Sequence, residues 1–158
     1  SLTGHQLRLQ WINMLSCSID IDVFGRGHQP GAFNNKYKGE LNDPGRCKSR
    51  ALFPYSHSVA IENGNQSGYF SEKLTDVLLS YAMPIYFGAP DILQYFPSES
   101  IYCLPDLTEN SLQHLCSYLS HRPTLSSSIL EAIEYSRELI LFKYNIWNVI
   151  DSIVRRIS

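Results

Sequence analysis

The chain has 158 residues, of which 44% are hydrophobic and 18% charged, with a formal net charge of −2. That is one domain's worth of length, enough to bury a core without disulfides or metal, and too apolar for disorder throughout. The near-neutral balance without a basic block argues against binding a nucleic-acid backbone, the apolar runs fall far short of a membrane span, and the opening residues are not expected to be a secretory leader.

Residues 1–11 already read as the entry to a helix, so the chain is expected to begin in mid-structure, as a domain cut from something longer. Cys17, Cys47, Cys103 and Cys116 form no CxxC pair and lack a paired histidine spacing. This speaks against a zinc site and for free thiols.

In chain order, Thr3 to Ser16 has helical spacing, with Leu7, Trp11, Ile12, Met14 and Leu15 on one broad apolar face. Arg8 leaves this helix on or beside that face. It is either a snorkelling arginine whose head reaches water or a cation aimed into a cleft that holds an anion. Ile19 to Phe24 alternates apolar and acidic residues and stops at Gly25, as a strand with Asp20 and Asp22 on a solvated face. Arg26 to Arg50 shows turn residues and little periodicity, so it reads as a long loop. Its basic residues either line a phosphate site or are solvated loop charge.

A strand is expected at His57 to Ile61. A polar loop follows, then Ser71 as the N-cap of a helix whose apolar stripe is Leu74, Val77, Leu78 and Tyr81. Met83-Pro84 ends that helix, and Ile85 to Phe87 is a buried strand stopped by Gly88. A helical turn from Ala89 through Tyr95 and a short strand at Ser100 to Leu104 come next. Thr108 opens a helix with Leu112, Leu115, Cys116 and Leu119 inside. From about Leu125 onward the chain is helical, with a break at Lys143-Tyr144-Asn145.

Residues 57–88 therefore form strand, loop, helix, strand: one βαβ unit. Its loop leaves the carboxyl end of a strand and enters the amino end of a helix, where open α/β sheets hold anionic ligands. Lys73 sits in the helix's first turn, where a cation opposes the dipole. Either it pairs with Asp76 three residues on, or its ammonium meets a pyrophosphate at the helix end together with the backbone N–H groups. Tyr69 is a ligand-stacking residue or a loop anchor. Asn63 is a donor to sugar hydroxyls or part of a plain Asn-Gly turn.

The run from Ala60 to Pro97 resembles the donor-binding motif of family 10 glycosyltransferases, the α-1,3/1,4-fucosyltransferases. The matching features are Glu62-Asn63 at a strand end, Tyr69 in the loop, Ser71-Glu72-Lys73, an aliphatic helix, and Pro84-Ile85-Tyr86-Phe87-Gly88. The helix carrying Arg8 and the strand ending Asp22-Val23-Phe24-Gly25 resemble the family's upstream stretch. The likeness covers about residues 5–120.

The resemblance implies an α/β fold with a Rossmann-like parallel sheet flanked by helices, as in the C-terminal domain of a GT-B glycosyltransferase. The chain would be a single nucleotide-sugar donor-binding domain over 1–158, with residues 122–158 as a helical tail. It implies transfer of fucose from GDP-fucose to a glycan acceptor with inversion, without a metal or other cofactor. Arg8 and Lys73 would neutralise the diphosphate, Glu72 would bond fucose or ribose hydroxyls, and Asn63, Tyr69 and Ser71 would complete the pocket. The compartment would follow the source: cytoplasmic or membrane-peripheral in a bacterium, the Golgi lumen in a eukaryote.

Two departures stand out. The general base of an inverting transfer would lie in an N-terminal half that binds the acceptor, and has no counterpart in this chain. The segment between Phe24 and Ser56 has no clear match in the family pattern and reads as an insertion, which also leaves room for another nucleotide sugar. The competing reading is a non-catalytic Rossmann-like nucleotide-binding or protein-interaction module. An absent N-terminal half would expose an apolar patch around Trp147 and Ile150, which a second copy would cover in a homodimer.

Overall fold

The computed structural model describes residues 2–41, 48–121 and 124–157. The elements are α1 (Leu2–Ser18), β1 (Val23–Phe24), α2 (Ala32–Asn35), β2 (Tyr37–Gly39), α3 (Ser49–Leu52), β3 (His57–Ile61), α4 (Glu72–Leu79), β4 (Met83–Phe87), β5 (Tyr102–Cys103), α5 (Glu109–His121), α6 (Ser127–Phe142) and α7 (Ile146–Ile157). None of the described helices is long and apolar enough to cross a membrane.

The central sheet is parallel, in the order β3-β4-β5. β3 and β4 run in unbroken register from His57 opposite Met83 to Ile61 opposite Phe87. Successive side chains of a strand point to opposite faces, and each face has its own core. Ala60 and Tyr86 pack with Leu74, Val77 and Leu78 of α4 and Ile129, Ile133 and Ile140 of α6. Ile61 and Ile85 pack with Trp11 and Leu15 of α1 and Leu112 and Leu115 of α5. A sheet flanked by helices on both faces is the expected α/β architecture. Leu15, Leu74, Leu78 and Leu115 are fully buried, each worth about 1.5–3 kcal/mol of apolar burial.

Proline inside a central strand normally removes a ladder bond. The Met83 N–H donates to Ser56 O and Phe87 O accepts from the Glu62 N–H, so odd positions of β4 face β3. Even positions face β5, as Tyr86 O does in accepting from Leu104 N–H. The β5 ladder begins only at Ile85 opposite Tyr102. Pro84 lies before that point, so its missing N–H leaves no gap in the pairing. The strand thus starts at Met83, two residues earlier than the apolar run suggested.

Several expected boundaries shift. α4 ends at Leu79, because Tyr81 takes a left-handed φ of 62°. Tyr81 is 48% exposed and lies under the Arg137 guanidinium, 3.6 Å from its centroid, rather than in the apolar stripe. Arg137 also donates to Leu79 O, closing the helix end. Residues Ser98–Ser100 form a 3-10 turn, which shortens the strand expected at Ser100 to Leu104. Leu7 is 47% exposed and does not belong to the buried face of α1.

The segment 19–52 differs most from expectation. Only Val23 and Phe24 of the alternating run are strand, and they pair in parallel with Tyr37–Gly39 as a separate two-stranded sheet. Alternation marks a strand's faces but not its partner, and β1 is not joined to the edge of β3. The supposed loop contains β2, α3 and the turn α2, where Phe33, Asn34 and Asn35 have φ of 52°, 51° and 64°. Three left-handed residues in a row leave no helical or strand period to read. Lys36 pairs with Asp20, and Lys38 with Asp22 at 3.2 Å. The two aspartates are therefore ion-paired, although Asp20 keeps 92% of its side chain exposed. Arg46 and Cys47 lie outside the described residues, and Cys17, Cys103 and Cys116 are free thiols.

The break at Lys143-Tyr144-Asn145 separates α6 from α7, and Asn145 Oδ1 caps α7 by accepting from the Asn148 N–H at 3.0 Å. Tyr144 joins an aromatic cluster with Phe70, Tyr95 and Phe96. Beyond it, Ile146, Trp147, Ile150 and Val154 are all exposed, with Trp147 at 77%.

Candidate functional site

The loop from Asn63 to Phe70 hangs from the carboxyl end of β3 and is tied at three points. Its N-terminal flank is Glu62, whose side chain is completely buried. Glu62 Oε1 accepts from the Ser71 N–H at 2.7 Å, and Oε2 accepts from the Ser71 hydroxyl at 2.7 Å. Midway, the Gly68 N–H donates to Asp91 Oδ1 at 2.9 Å, and Gly68 has φ of 73°, a left-handed value suited to glycine. At the far end Phe70 inserts among Tyr95, Phe96 and Tyr144.

Ser71 is the expected N-cap of α4, its hydroxyl oxygen accepting from the Lys73 N–H at 3.3 Å. The Lys73 ammonium also reaches that oxygen, at 3.1 Å. It lies 3.3 Å from Glu72 Oε1 and 3.5 Å from Glu62 Oε2. Partial burial pushes the Glu72 carboxyl up, but the hydrogen bond and charge of Lys73 outweigh it and hold it below the usual value. Lys73 does not pair with Asp76. That carboxylate is taken by Lys48 from the segment before α3, at 2.7 Å.

Arg8 arrives from α1. Its guanidinium donates to Asn63 Oδ1 at 3.4 Å and to His5 Nδ1 at 2.8 Å. Arg8, Lys48, Glu72, Lys73 and Asp76 line one cleft of about 350 Å3, floored by Ile12, Leu52, Val59 and Ile61. A larger groove of about 1020 Å3 shares Arg8, Ile12, Lys48 and Leu52 with it and runs on between β1 and the free edge of β3. Arg8, Lys48 and Lys73 thus converge with the carboxylates of Glu72 and Asp76 over an apolar floor at a helix N-terminus. An anion carried on an organic group would share these cations with Glu72 and Asp76.

Of the six residues singled out from sequence, Arg8, Glu72 and Lys73 line this cleft. Asn63 adjoins it through Arg8. Ser71 is committed to the cap and to Glu62, so its hydroxyl proton is already spent on a carboxylate. Tyr69 is 42% exposed on the outer loop and does not line the cleft. Two contributors were missed as site residues. Glu62 carried a signal, an acid placed directly after an apolar strand run. Lys48 reads in sequence only as one of the basic residues of the 26–50 loop that either line a phosphate site or are solvated charge, and its partner Asp76 is 28 residues away. Among the described residues, no group of three or more His, Cys, Asp or Glu is arranged to hold a metal ion.

Residues 1–129 match the family described as glycosyltransferase family 10 (fucosyltransferase), C-terminal. The chain belongs to that family, and its fold is the GT-B C-terminal type expected from the motif. Among its relatives, a GDP-fucose protein O-fucosyltransferase 3 of Gallus gallus is 28% identical over 95 residues, covering 58% of this chain and 19% of the relative. An α-(1,3)-fucosyltransferase FucT of Helicobacter pylori is 26% identical over 86 residues, covering 54% and 18%. The fold is shared with an α1,3-fucosyltransferase solved with GDP, at a TM-score of 0.62 and 20% identity over 82% of this chain and 36% of that one. The same type of enzyme solved with GDP-fucose gives a TM-score of 0.55 at 19% identity, over 81% and 35%. The chain therefore spans under a fifth of these curated relatives and about a third of the solved chains.

Proposed function

We propose that this chain is the donor-binding half of a fucosyltransferase, holding GDP-fucose in the cleft between α1 and α4. The observation that carries this reading is the meeting of Arg8 and Lys73, 65 residues apart in sequence, on one cleft at the N-terminus of α4. The bond from fucose C1 to the diphosphate breaks as a glycan hydroxyl attacks from the opposite face, which inverts the configuration. Negative charge then develops on the departing diphosphate. Fixed cations and N–H groups aimed at that charge lower the barrier without reorganising. Arg8 and Lys73 supply the cations, with Lys48 at the cleft wall, and the positive dipole end of α4 adds to them; the N–H groups of Lys73, Leu74 and Thr75 are already bonded to Ser71.

The acceptor and the general base belong to the rest of such an enzyme, outside the residues described. The chain alone is expected to bind donor but to transfer fucose slowly or not at all.

Calorimetric titration with GDP, GDP-fucose, UDP and UDP-glucose tests the reading. Guanine-selective binding is expected, and Lys73→Ala should weaken it by about tenfold or more, as for loss of one charge-assisted phosphate contact. Indifference of the wild-type chain to all four ligands would sink the proposal.

A further inference from the structure

We infer that Glu62 is the positioning residue of this site: its buried carboxylate sets the start of α4 and holds the Lys73 ammonium at the cleft. The inference rests on the donor-binding reading above and adds a role that reading does not need.

Three independent features point to it. First, both carboxylate oxygens are engaged by one residue, Ser71, through its backbone N–H and its hydroxyl, each at 2.7 Å. The end of β3 is thereby stapled to the cap of α4 across the eight-residue loop from Asn63 to Phe70. Second, Lys73 Nζ sits 3.5 Å from Glu62 Oε2 and 3.1 Å from the Ser71 hydroxyl that Glu62 orients. The long lysine stem is anchored near the helix start instead of ranging through solvent. Third, the fold makes room for this carboxylate. A Cβ at Gly88 would come within 2.7 Å of Glu62 Cγ and 2.3 Å of the Tyr86 hydroxyl, so the end of β4 needs glycine where Glu62 passes.

Leaving a carboxylate fully buried is costly unless it is paired and hydrogen-bonded. Ser71 and Lys73 provide that compensation, and the same contacts order the anion-binding end of α4. The lysine is then held where it is used, at the cost of sharing its charge with Glu62 and Glu72.

The sign of one substitution separates this from a bystander. A carboxylate that merely faced an anion site would repel the ligand, and neutralising it would tighten binding. A positioning carboxylate gives the reverse. Glu62→Gln keeps the size and an oxygen for the Ser71 N–H but loses the charge that holds Lys73. GDP binding should weaken about tenfold, the scale of one misplaced charge-assisted contact, although a negative charge has been removed. In a Lys73→Ala background the same change should have little effect or tighten binding, a coupling that a general loss of stability would not produce.

GDP titration of the four proteins, with circular dichroism melts alongside, decides the matter. If wild type binds GDP and folded Glu62→Gln binds it as well or better, the positioning role is overturned while the donor reading stands. If wild type does not bind GDP, both fall. Should Glu62→Gln fail to fold, Ser71→Ala carries the test: it cuts the hydroxyl link from Glu62 to Lys73 and must weaken GDP binding, and unchanged affinity there overturns the inference.

Discussion

Two of the parallel strand pairs, β3 with β4 and β1 with β2, are built on different terms. β3 and β4 pair over five residues each, in continuous register, with apolar residues on both faces and helices covering each. β1 and β2 pair over Val23 with Tyr37 and Phe24 with Gly39, with a register irregularity between them. They lean on ion pairs, on the Tyr55 hydroxyl donating to Asp22 at 2.7 Å, and on a turn of left-handed residues. The first pair derives its geometry from burial, which is large and insensitive to salt. The second derives it from exposed polar contacts, which are individually weak. The larger groove beside the candidate cleft runs between the two, so it has one rigid wall and one adaptable wall.

If that contrast is right, damage should be graded. The largest effect is expected at the rigid wall, for Gly88→Ala. Its Cβ would lie 2.6 Å from Tyr86 Cζ and 2.7 Å from Glu62 Cγ, both on buried residues. Overpacking of this kind costs about 1–3 kcal/mol. A denaturant midpoint equal to that of wild type would show that the carboxyl end of β4 is softer than its burial suggests.

A pH titration of stability probes the base of β3. His57 Nε2 is buried without a partner, and burial holds the imidazole below its usual value of 6.5. A histidine depressed in the folded state takes up protons more readily when unfolded. Stability should therefore fall as pH drops through the region of 6.5. That loss should be absent from a folded His57→Gln variant, as thermal melts between neutral and mildly acidic pH would reveal.

Smaller effects are expected in the adaptable wall. Lys36→Ala and Lys38→Ala each remove one exposed ion pair with Asp20 or Asp22. Each should cost no more than about 1 kcal/mol, and less in high salt. A cost of several kcal/mol that persisted in salt would place β1 and β2 among the rigid parts. Smallest of all is Asn35→Gly, at φ of 64°. Glycine accepts that backbone freely but also frees the unfolded chain, so the net change should stay within about 1 kcal/mol of zero in a urea melt.

The same contrast explains what could be read in advance. The unit 57–88 was legible because local signals agreed: an apolar run of strand length, a Ser71 cap, a stripe at Leu74, Val77 and Leu78, and a second apolar run ending at a glycine. Half of the candidate site, Arg8 with Glu72 and Lys73, was singled out by position on helices together with the resemblance to the family motif. Tyr69 was placed in the loop correctly, but no local rule says which way a loop side chain turns, and it turned outward. Lys48 could not be told apart from the other basic residues of the 26–50 loop, because its place depends on Asp76, a partner that only folding brings near. In 19–52, the alternation of Ile19 to Phe24 marked a strand but not its partner or extent, and the consecutive left-handed residues that follow carry no hydrophobic period.

By itself, then, the sequence determined the βαβ unit, its capped helix and the family motif on it, because these rest on hydrophobic spacing and capping chemistry within a few residues. Only the tertiary structure decided that Arg8 and Lys73 share a cleft, that Glu62 is buried and bound through both oxygens, and that β1 stands apart from the main sheet. Those outcomes depend on distances between segments tens of residues apart, which periodicity does not encode and packing of α1 and α4 on the two faces of one sheet does.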